Sequence, residues 1–370
     1  MPRVNFSLEN LRKERAAYDT KRRQAGRRLL IWQDDEPTHA QRDVVFAHGK
    51  LRLFRYKRRE NGRATPLLMV YALVNRPYMA DLLPDCSLIG DLLDRGLDIY
   101  LIDWGYPDSD DRFRSLEDHV NGDLDACVEH IRAVHGCEAI DLLGICQGGT
   151  LSLCYATLFG EKIRTLITTV TPVDFKTATD LLSHLVKQVD VDALVAAYGN
   201  IPGEFLNAVF LAQKPLQLMH QKYVDFVHNA HDPVATNLFL AMEKWIFDSP
   251  ALAGAFFRDF VGGCYQRNDL VKGALRITSR LVDLKHLKMP ILNIFARDDH
   301  LVPPAASRAL ARLVGSEDYT EVELPGGHIG VYVSAKARRQ FALSVADWLD
   351  QRGDPASART VTQKKIAEES

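Results

Sequence analysis

Apolar residues in this chain are concentrated in short runs, with polar or amphipathic stretches between them. An alternating pattern over residues 44–56 predicts a hairpin that turns near Gly49, and a helical pattern covers residues 115–134. Strands are predicted at 67–73, 97–104, 139–144, 290–296 and, with clear alternation, 319–324. Because uninterrupted apolar strands are buried on both faces, the alternation of strand and helix predicts an α/β fold with a mainly parallel sheet flanked by helices.

A long insertion interrupts this alternation. From residue 176 to residue 287 the regular strand signals stop and helical patterns dominate. We therefore predict a mostly helical cap (lid) inserted into a core formed by residues 41–175 and 288–352. Residues 353–370 are polar and lack aromatic side chains, which predicts a disordered tail.

Composition and charge narrow the class of protein. With 370 residues and 46% hydrophobic content, the chain can bury a large core, and a net charge of -2 gives no reason to expect nucleic acid. Residues 1–40 are nevertheless basic, and the helix predicted over 8–30 is either a solvated face or a docking surface for a partner. The six cysteines show neither CxxC pairing nor metal-ligand spacing, so we expect reduced thiols in a cytoplasmic protein and no metal site. Neither a signal peptide nor a transmembrane run is visible, and we expect a soluble chain.

The motif Gly-Ile-Cys-Gln-Gly-Gly at residues 144–149 carries the chemistry. Its G-x-C-x-G spacing is typical of a tight strand-to-helix turn. Glycine is needed at positions 144 and 148 because such a turn has no room for larger side chains. The helix predicted to begin near Gln147 has free N–H groups at its start, and these favour a thiolate over a thiol. Cys146 occupies the position where an α/β-hydrolase normally has a serine nucleophile, which points to acyl transfer through a thioester. The motif alone is equally compatible with a buried structural cysteine.

An acid and a histidine follow downstream, each just beyond a predicted strand. The acid loop contains both Asp298 and Asp299, and the spacing Asp-x-x-Val-Pro selects Asp299. His328 lies in the glycine-rich loop after residues 319–324, whereas His300 is interpreted as structural. The order Cys146, Asp299, His328 is the order nucleophile, acid, histidine of the α/β-hydrolases.

With these motifs in place, the chain resembles the catalytic subunit of the class III polyhydroxyalkanoate synthases from about residue 40 to about residue 350. The resemblance is carried by the segments 70–79, 100–107, 144–149, 171–175, 243–250, 295–304 and 325–330. Class IV enzymes share the catalytic motifs, so the choice between class III and class IV stays open. Class I and II enzymes carry a longer N-terminal region that is missing here.

The resemblance implies an α/β-hydrolase fold and an acyltransferase, a poly(3-hydroxyalkanoate) synthase. Its expected substrate is a short-chain (R)-3-hydroxyacyl-coenzyme A (3-hydroxyacyl-CoA), such as 3-hydroxybutyryl-CoA, with coenzyme A as leaving group and no resident cofactor. It further implies a companion PhaE subunit, a homodimer, and association with polyhydroxyalkanoate (PHA) granules in the cytoplasm.

The expected mechanism assigns a role to each candidate residue. Cys146 forms the covalent thioester and His328 is the general base, while Asp299 either orients His328 or helps to activate the 3-hydroxyl group. The oxyanion hole takes the backbone N–H of Gln147 and a second one from Val74 or Asn75. Trp245, in the predicted cap, is a candidate for substrate contact or for core packing.

Two other functions fit part of the pattern. The first is a cysteine-dependent hydrolase on the same fold, such as an intracellular polyester depolymerase or a dienelactone hydrolase, which differs in admitting water to the acyl-enzyme. The second is a non-catalytic granule scaffold, which would not need Cys146, Asp299 and His328 together.

Overall fold

An eight-stranded sheet forms the centre of the computed structural model, which describes residues 7–31, 39–58 and 65–353. Its strands are β1 (Arg42–His48), β2 (Leu51–Tyr56), β3 (Pro66–Val70), β4 (Asp98–Asp103), β5 (Ile140–Ile145), β6 (Ile163–Thr169), β7 (Ile291–Ala296) and β8 (Tyr319–Leu324). Their order across the sheet is β1-β2-β4-β3-β5-β6-β7-β8. The hairpin β1–β2 and the pair β2–β4 are antiparallel, and all other pairs are parallel.

Seven of the eight strands lie where the sequence pattern predicted them, within three residues at each end, and β6 was not among the predicted strands. Every residue of β3, β4, β5 and β7 is buried, as expected for strands covered by helices on both faces. The largest difference is at β3, which ends at Val70 rather than at residue 73. The three residues beyond it leave the sheet and begin a loop beside the end of β5.

Helices cover both faces of the sheet and fill the insertion. Outside the insertion they are α1 (Leu8–Ile31), α2 (Leu88–Leu93), α3 (Asp125–His135), α4 (Gln147–Leu158), α11 (Pro304–Arg308), α12 (Gly330–Val333) and α13 (Ala335–Asp350). Inside it they are α5 (Leu181–Val186), α6 (Val191–Tyr198), α7 (Gly203–Leu211), α8 (Lys222–Asn229), α9 (Pro233–Phe247) and α10 (Gly254–Phe260). The helix predicted over 115–134 is interrupted, because a π-helical stretch over Asp118–Leu124 precedes α3.

The N-terminal helix α1 packs on the insertion rather than on the sheet. Ala25 is buried in a small apolar cluster with Phe226 and Ala230, and Lys21 Nζ lies 3.3 Å from His228 Nδ1. Most of the basic side chains of α1 that the structure describes are exposed. The predicted tail, apart from its first residue, lies outside the described residues. No helix in the described part of the chain is long and apolar enough to cross a membrane.

Candidate active site

Cys146 is the single residue between β5 and α4, in a sharp turn at the carboxyl edge of the sheet. Its backbone has φ 53° and ψ -124°, a conformation in which a side chain other than hydrogen is strained. The strain is held by hydrogen bonds on both sides: Cys146 N–H donates to Thr169 O at 2.9 Å, and Cys146 O accepts from Gly149 N–H at 2.9 Å. The turn thus presents the half-exposed thiol at the start of α4, as the sequence motif predicted.

Three glycines allow α4 to approach the sheet closely enough for this turn. A Cβ on Gly144 would lie 2.6 Å from Ser152 Oγ, and one on Gly148 would lie 2.7 Å from the carbonyl carbon of Tyr71. A Cβ on Gly149 would lie 2.7 Å from Thr171 Cγ2. Real Cβ atoms do not approach other atoms so closely, so the glycines of the motif are a steric requirement of the turn.

Asp299 and His328 meet beside this turn, from loops that follow β7 and β8. Asp299 Oδ2 lies 2.7 Å from His328 Nδ1, and both side chains are buried. The other carboxylate oxygen, Oδ1, accepts the backbone N–H groups of Leu301 and Val302 at 2.9 Å each. The Asp298 side chain is exposed, and its Oδ1 lies 3.5 Å from Arg297 Nε instead. The geometry therefore selects Asp299 over its neighbour as the partner of the histidine.

The pKa of His328 depends on Cys146 as well as on Asp299. Burial by itself lowers the pKa of His328, but the negative charges of Asp299 and of the Cys146 sulfur, together with hydrogen bonds to both, raise it well above its ordinary value. His328 therefore lies between the carboxylate on one side and the sulfur on the other, and both partners favour its protonated form. For His300, burial and then the positive charge of Lys214 lower the pKa.

The loop after β3 supplies the other candidate groups of the site. Leu73 N–H donates to Gln147 Oε1 at 3.0 Å, so the loop is attached to the residue that follows Cys146. Within the described residues, the backbone N–H groups of Val74 and Asn75 have no protein acceptor. The N–H of Gln147, at the first position of α4, is one of the donors that a helix start leaves free. The two predicted sources of oxyanion donors thus lie on segments that the Leu73–Gln147 hydrogen bond joins, and Val74 and Asn75 stay alternatives.

Trp245 lies in the packed interior between cap and core. Its side chain is 6% exposed, and its indole N–H donates to Arg76 O at 2.8 Å. Both faces of the ring and its polar atom are therefore engaged by protein, which favours a packing role over substrate contact. The partly buried apolar side chains that pack on the same cluster as Cys146 include Val74, Leu238, Met242, Ile246 and Ile329.

Sequence reasoning missed the polar residues that follow Trp245. Ser249 accepts a hydrogen bond from Asn75 in the loop after β3, and Asp248 accepts one from Tyr106 in the loop after β4. Both belong to a segment that was singled out only for its resemblance. A helix that ends in Asp-Ser-Pro was the available signal, because short polar residues at a helix end commonly bind a neighbouring loop. In the described part of the chain, no group of three His, Cys, Asp or Glu side chains is placed to hold a metal ion.

Fold and site together define an α/β hydrolase with a cysteine at the nucleophile position. The profile of the alpha/beta hydrolase fold family matches residues 65–335. Among solved structures, a thermophilic esterase from Thermogutta terrifontis is similar in fold, with a TM-score of 0.50 and 15% identity over 84% of this chain and 99% of the esterase.

Two relatives at much higher identity specify the family. The poly(3-hydroxyalkanoate) polymerase subunit PhaC of Allochromatium vinosum is 49% identical over 352 residues, which are 94% of this chain and 99% of that protein. The PhaC subunit of Synechocystis sp. is 49% identical over 319 residues, 84% of either chain. The chain belongs to the PhaC family of poly(3-hydroxyalkanoate) polymerase subunits, as its motifs predicted.

Proposed function

We propose that this chain polymerises short-chain (R)-3-hydroxyacyl-CoA, such as 3-hydroxybutyryl-CoA, into polyhydroxyalkanoate, with release of coenzyme A. The observation that carries the proposal is Cys146 at the strained turn, in contact with the buried His328–Asp299 pair, in a chain of the PhaC family. A cysteine is suited to this reaction because the acyl-enzyme is then a thioester. Exchange of one thioester for another loses little free energy, so the acyl group stays activated for attack by a hydroxyl group.

Acylation is the first chemical step. The Cys146 sulfur attacks the carbonyl carbon of the acyl-CoA, and the N–H groups of Gln147 and of Val74 or Asn75 stabilise the tetrahedral oxyanion. The bond from carbon to the coenzyme A sulfur then breaks. The proton held by His328 passes to the departing sulfur, which leaves His328 neutral and the acyl group on Cys146.

Ester formation returns the site to its starting state. The 3-hydroxyl oxygen of a further unit attacks the acyl-Cys146 carbonyl while its proton passes to His328. The new ester bond forms, the carbon–sulfur bond breaks, and Cys146 leaves as a thiolate beside protonated His328. We assign Asp299 to the orientation of His328, because both of its oxygens are already occupied by the imidazole and by two backbone N–H groups.

The proposed setting follows the family. We propose that the chain works in the cytoplasm at the surface of PHA granules, as a homodimer and with a companion PhaE subunit. The name "subunit" of the relatives supports the existence of a partner in their systems.

The test compares the purified chain, alone and with that partner, on 3-hydroxybutyryl-CoA. Released coenzyme A is measured by chromatography, and polymer is measured by light scattering and by its methanolysis products. We expect one coenzyme A per polymerised unit. Release of free 3-hydroxybutyrate without polymer, in both preparations, would show a cysteine-dependent hydrolase instead. If neither product forms and the substrate does not label Cys146 of the wild-type protein, the scaffold role would be supported instead.

A further inference from the structure

The end of cap helix α9 is attached directly to the loop that follows β3. Trp245 Nε1–H donates to Arg76 O at 2.8 Å, and Asn75 Nδ2–H donates to Ser249 Oγ at 2.6 Å. Ser249 Oγ lies in turn 3.1 Å from Asn207 Oδ1 on α7, which ties it to a second cap helix. Two adjacent residues of the loop are therefore held by two residues of the cap.

A second set of contacts joins the same two parts of the molecule. Arg76 lies over the ring of Tyr106 at 4.2 Å and pairs with Asp103, at the end of β4, at 2.7 Å. The hydroxyl group of Tyr106 donates to Asp248 Oδ1 at 2.5 Å, and Asp248 ends α9. The cap end and the loop thus share a network of charge-assisted and neutral hydrogen bonds.

The loop needs such external support because its backbone is not in a relaxed conformation. Asn75 has φ 62°, in the left-handed region that few residues other than glycine adopt. Asparagine tolerates this region, but a strained loop persists only where its surroundings determine it. Its first residue, Leu73, is held by Gln147 Oε1, and its last residues are held by the cap.

The candidate oxyanion donors lie between these two attachments. Val74 and Asn75 carry the backbone N–H groups that have no acceptor in the described residues. An oxyanion hole acts only if its donors stand about 2.7–3.1 Å from the developing charge, and a misplacement of about 1 Å is enough to slow the reaction strongly. A shift of the loop would therefore reduce catalysis without touching the nucleophile.

We infer that Trp245 and Ser249 are positioning residues that set the second oxyanion donor, so that the hole is complete only when the cap is docked on the loop. The inference rests on the proposed acyl transfer at Cys146. Docking of the cap is then required for a complete active site. With the cap open, Cys146 would still be nucleophilic but its oxyanion hole would be incomplete.

The experiment compares two reactions of Cys146 in the variants Trp245→Phe and Ser249→Ala. Acylation passes through an oxyanion, whereas alkylation by iodoacetamide is a direct displacement at carbon and does not. Because one oxyanion donor is worth about 10²–10³ in rate, we expect each variant to lose about 10-fold or more in the rate of acylation at saturating substrate. The KM for acyl-CoA and the alkylation rate should stay within about 2-fold of wild type, because neither depends on the oxyanion.

Trp348→Phe is the matched control. Trp348, on α13, is also buried, at 5% exposure, and its indole N–H donates to Thr320 Oγ1 of the edge strand β8 at 3.2 Å, so neither residue belongs to the cap or to the loop after β3. We expect its acylation rate to equal that of wild type. Equal loss of acylation and alkylation in the two cap variants, or no loss of either, would overturn the inference. Ser249→Ala is a small change at a half-buried position and keeps the test valid if Trp245→Phe does not fold.

Acylation is measured with both 3-hydroxybutyryl-CoA and p-nitrophenyl acetate. If wild-type Cys146 accepts the acetyl group but not the hydroxyacyl group, the proposed function fails, and the positioning roles are still judged from the acetyl rates. If wild-type Cys146 accepts neither, both proposals fall.

Discussion

Replacing Asp299 by Asn removes a charge from the site and keeps the shape of the side chain. In the structure Oδ1 accepts two backbone N–H groups, from Leu301 and Val302, and Oδ2 faces His328 Nδ1 at 2.7 Å. The asparagine carbonyl must remain with the two backbone donors, because an amide NH₂ group there would face two N–H groups. The NH₂ group then faces His328 Nδ1, which has to become an acceptor, and the ring proton moves to Nε2.

This wrong tautomer determines the size of the effect. Nε2 is the nitrogen left to exchange a proton with Cys146 or with the 3-hydroxyl group. In the variant the neutral imidazole carries its only proton there, so it cannot take a proton from the Cys146 thiol or from the hydroxyl group. Loss of the carboxylate also removes a charge that raises the pKa of His328. The same substitution in a serine triad lowers kcat by about 10⁴, so we expect acylation at neutral pH to fall by about 10³–10⁴, or about 4–5 kcal/mol in the barrier.

The assay is a rapid-quench measurement of coenzyme A released in the first turnover, with urea unfolding to verify the fold. Asp298→Asn is the matched control, since Asp298 is exposed and turned toward Arg297, and it should keep wild-type rates. Asp299→Asn protein that retains more than about a tenth of the acylation rate would refute the orienting role. So would an equal loss in the Asp298 control.

Three further predictions test other parts of the site. Cys146→Ala should abolish covalent labelling by a radioactive acyl-CoA, and label that persists on the protein would move the nucleophile elsewhere. Gly149→Ala should lower the free energy of unfolding by about 1–3 kcal/mol because its Cβ meets the side chain of Thr171, and adding Thr171→Gly should restore most of it in urea titrations. The raised pKa of His328 stabilises the fold fully below the ordinary histidine pKa of about 6.5, and this contribution is lost as pH rises through the higher native pKa. The stability difference between wild type and Asp299→Asn should therefore shrink as the pH rises from about 6.5 through the native pKa of His328. A difference that is constant from pH 6 to pH 9 would contradict the assignment.

Most of the sheet could be predicted from the sequence because burial on both faces leaves a local trace. The runs that became β5 and β7 are apolar except for one polar residue each, Asp141 and Asn293, and their lengths match the strands within a residue or two. The glycines around Cys146 predicted the turn for an equally local reason, since a Cβ at those positions would collide with nearby atoms of the same chain. Chain order then linked the cysteine to Asp299 and His328.

Other features left no local trace. Nothing in the apolar pattern places β4 between β2 and β3, because the neighbours in a sheet are chosen by connections and packing. The selection of Asp299 over Asp298 rested on a spacing in the sequence, whereas the structure decides it by burial and by a 2.7 Å contact.

Trp245 shows the division most clearly. Its aromatic surroundings indicated a buried position or a substrate wall, and the sequence could not separate the two. The answer depends on Arg76, 169 residues away, whose carbonyl oxygen accepts the indole proton. The sequence by itself therefore determined most of the strands and the turn, and it predicted candidate reacting side chains, since sterics and burial act on neighbouring residues. Only the tertiary structure decided how the cap meets the oxyanion loop, because that contact exists only once distant segments are packed together.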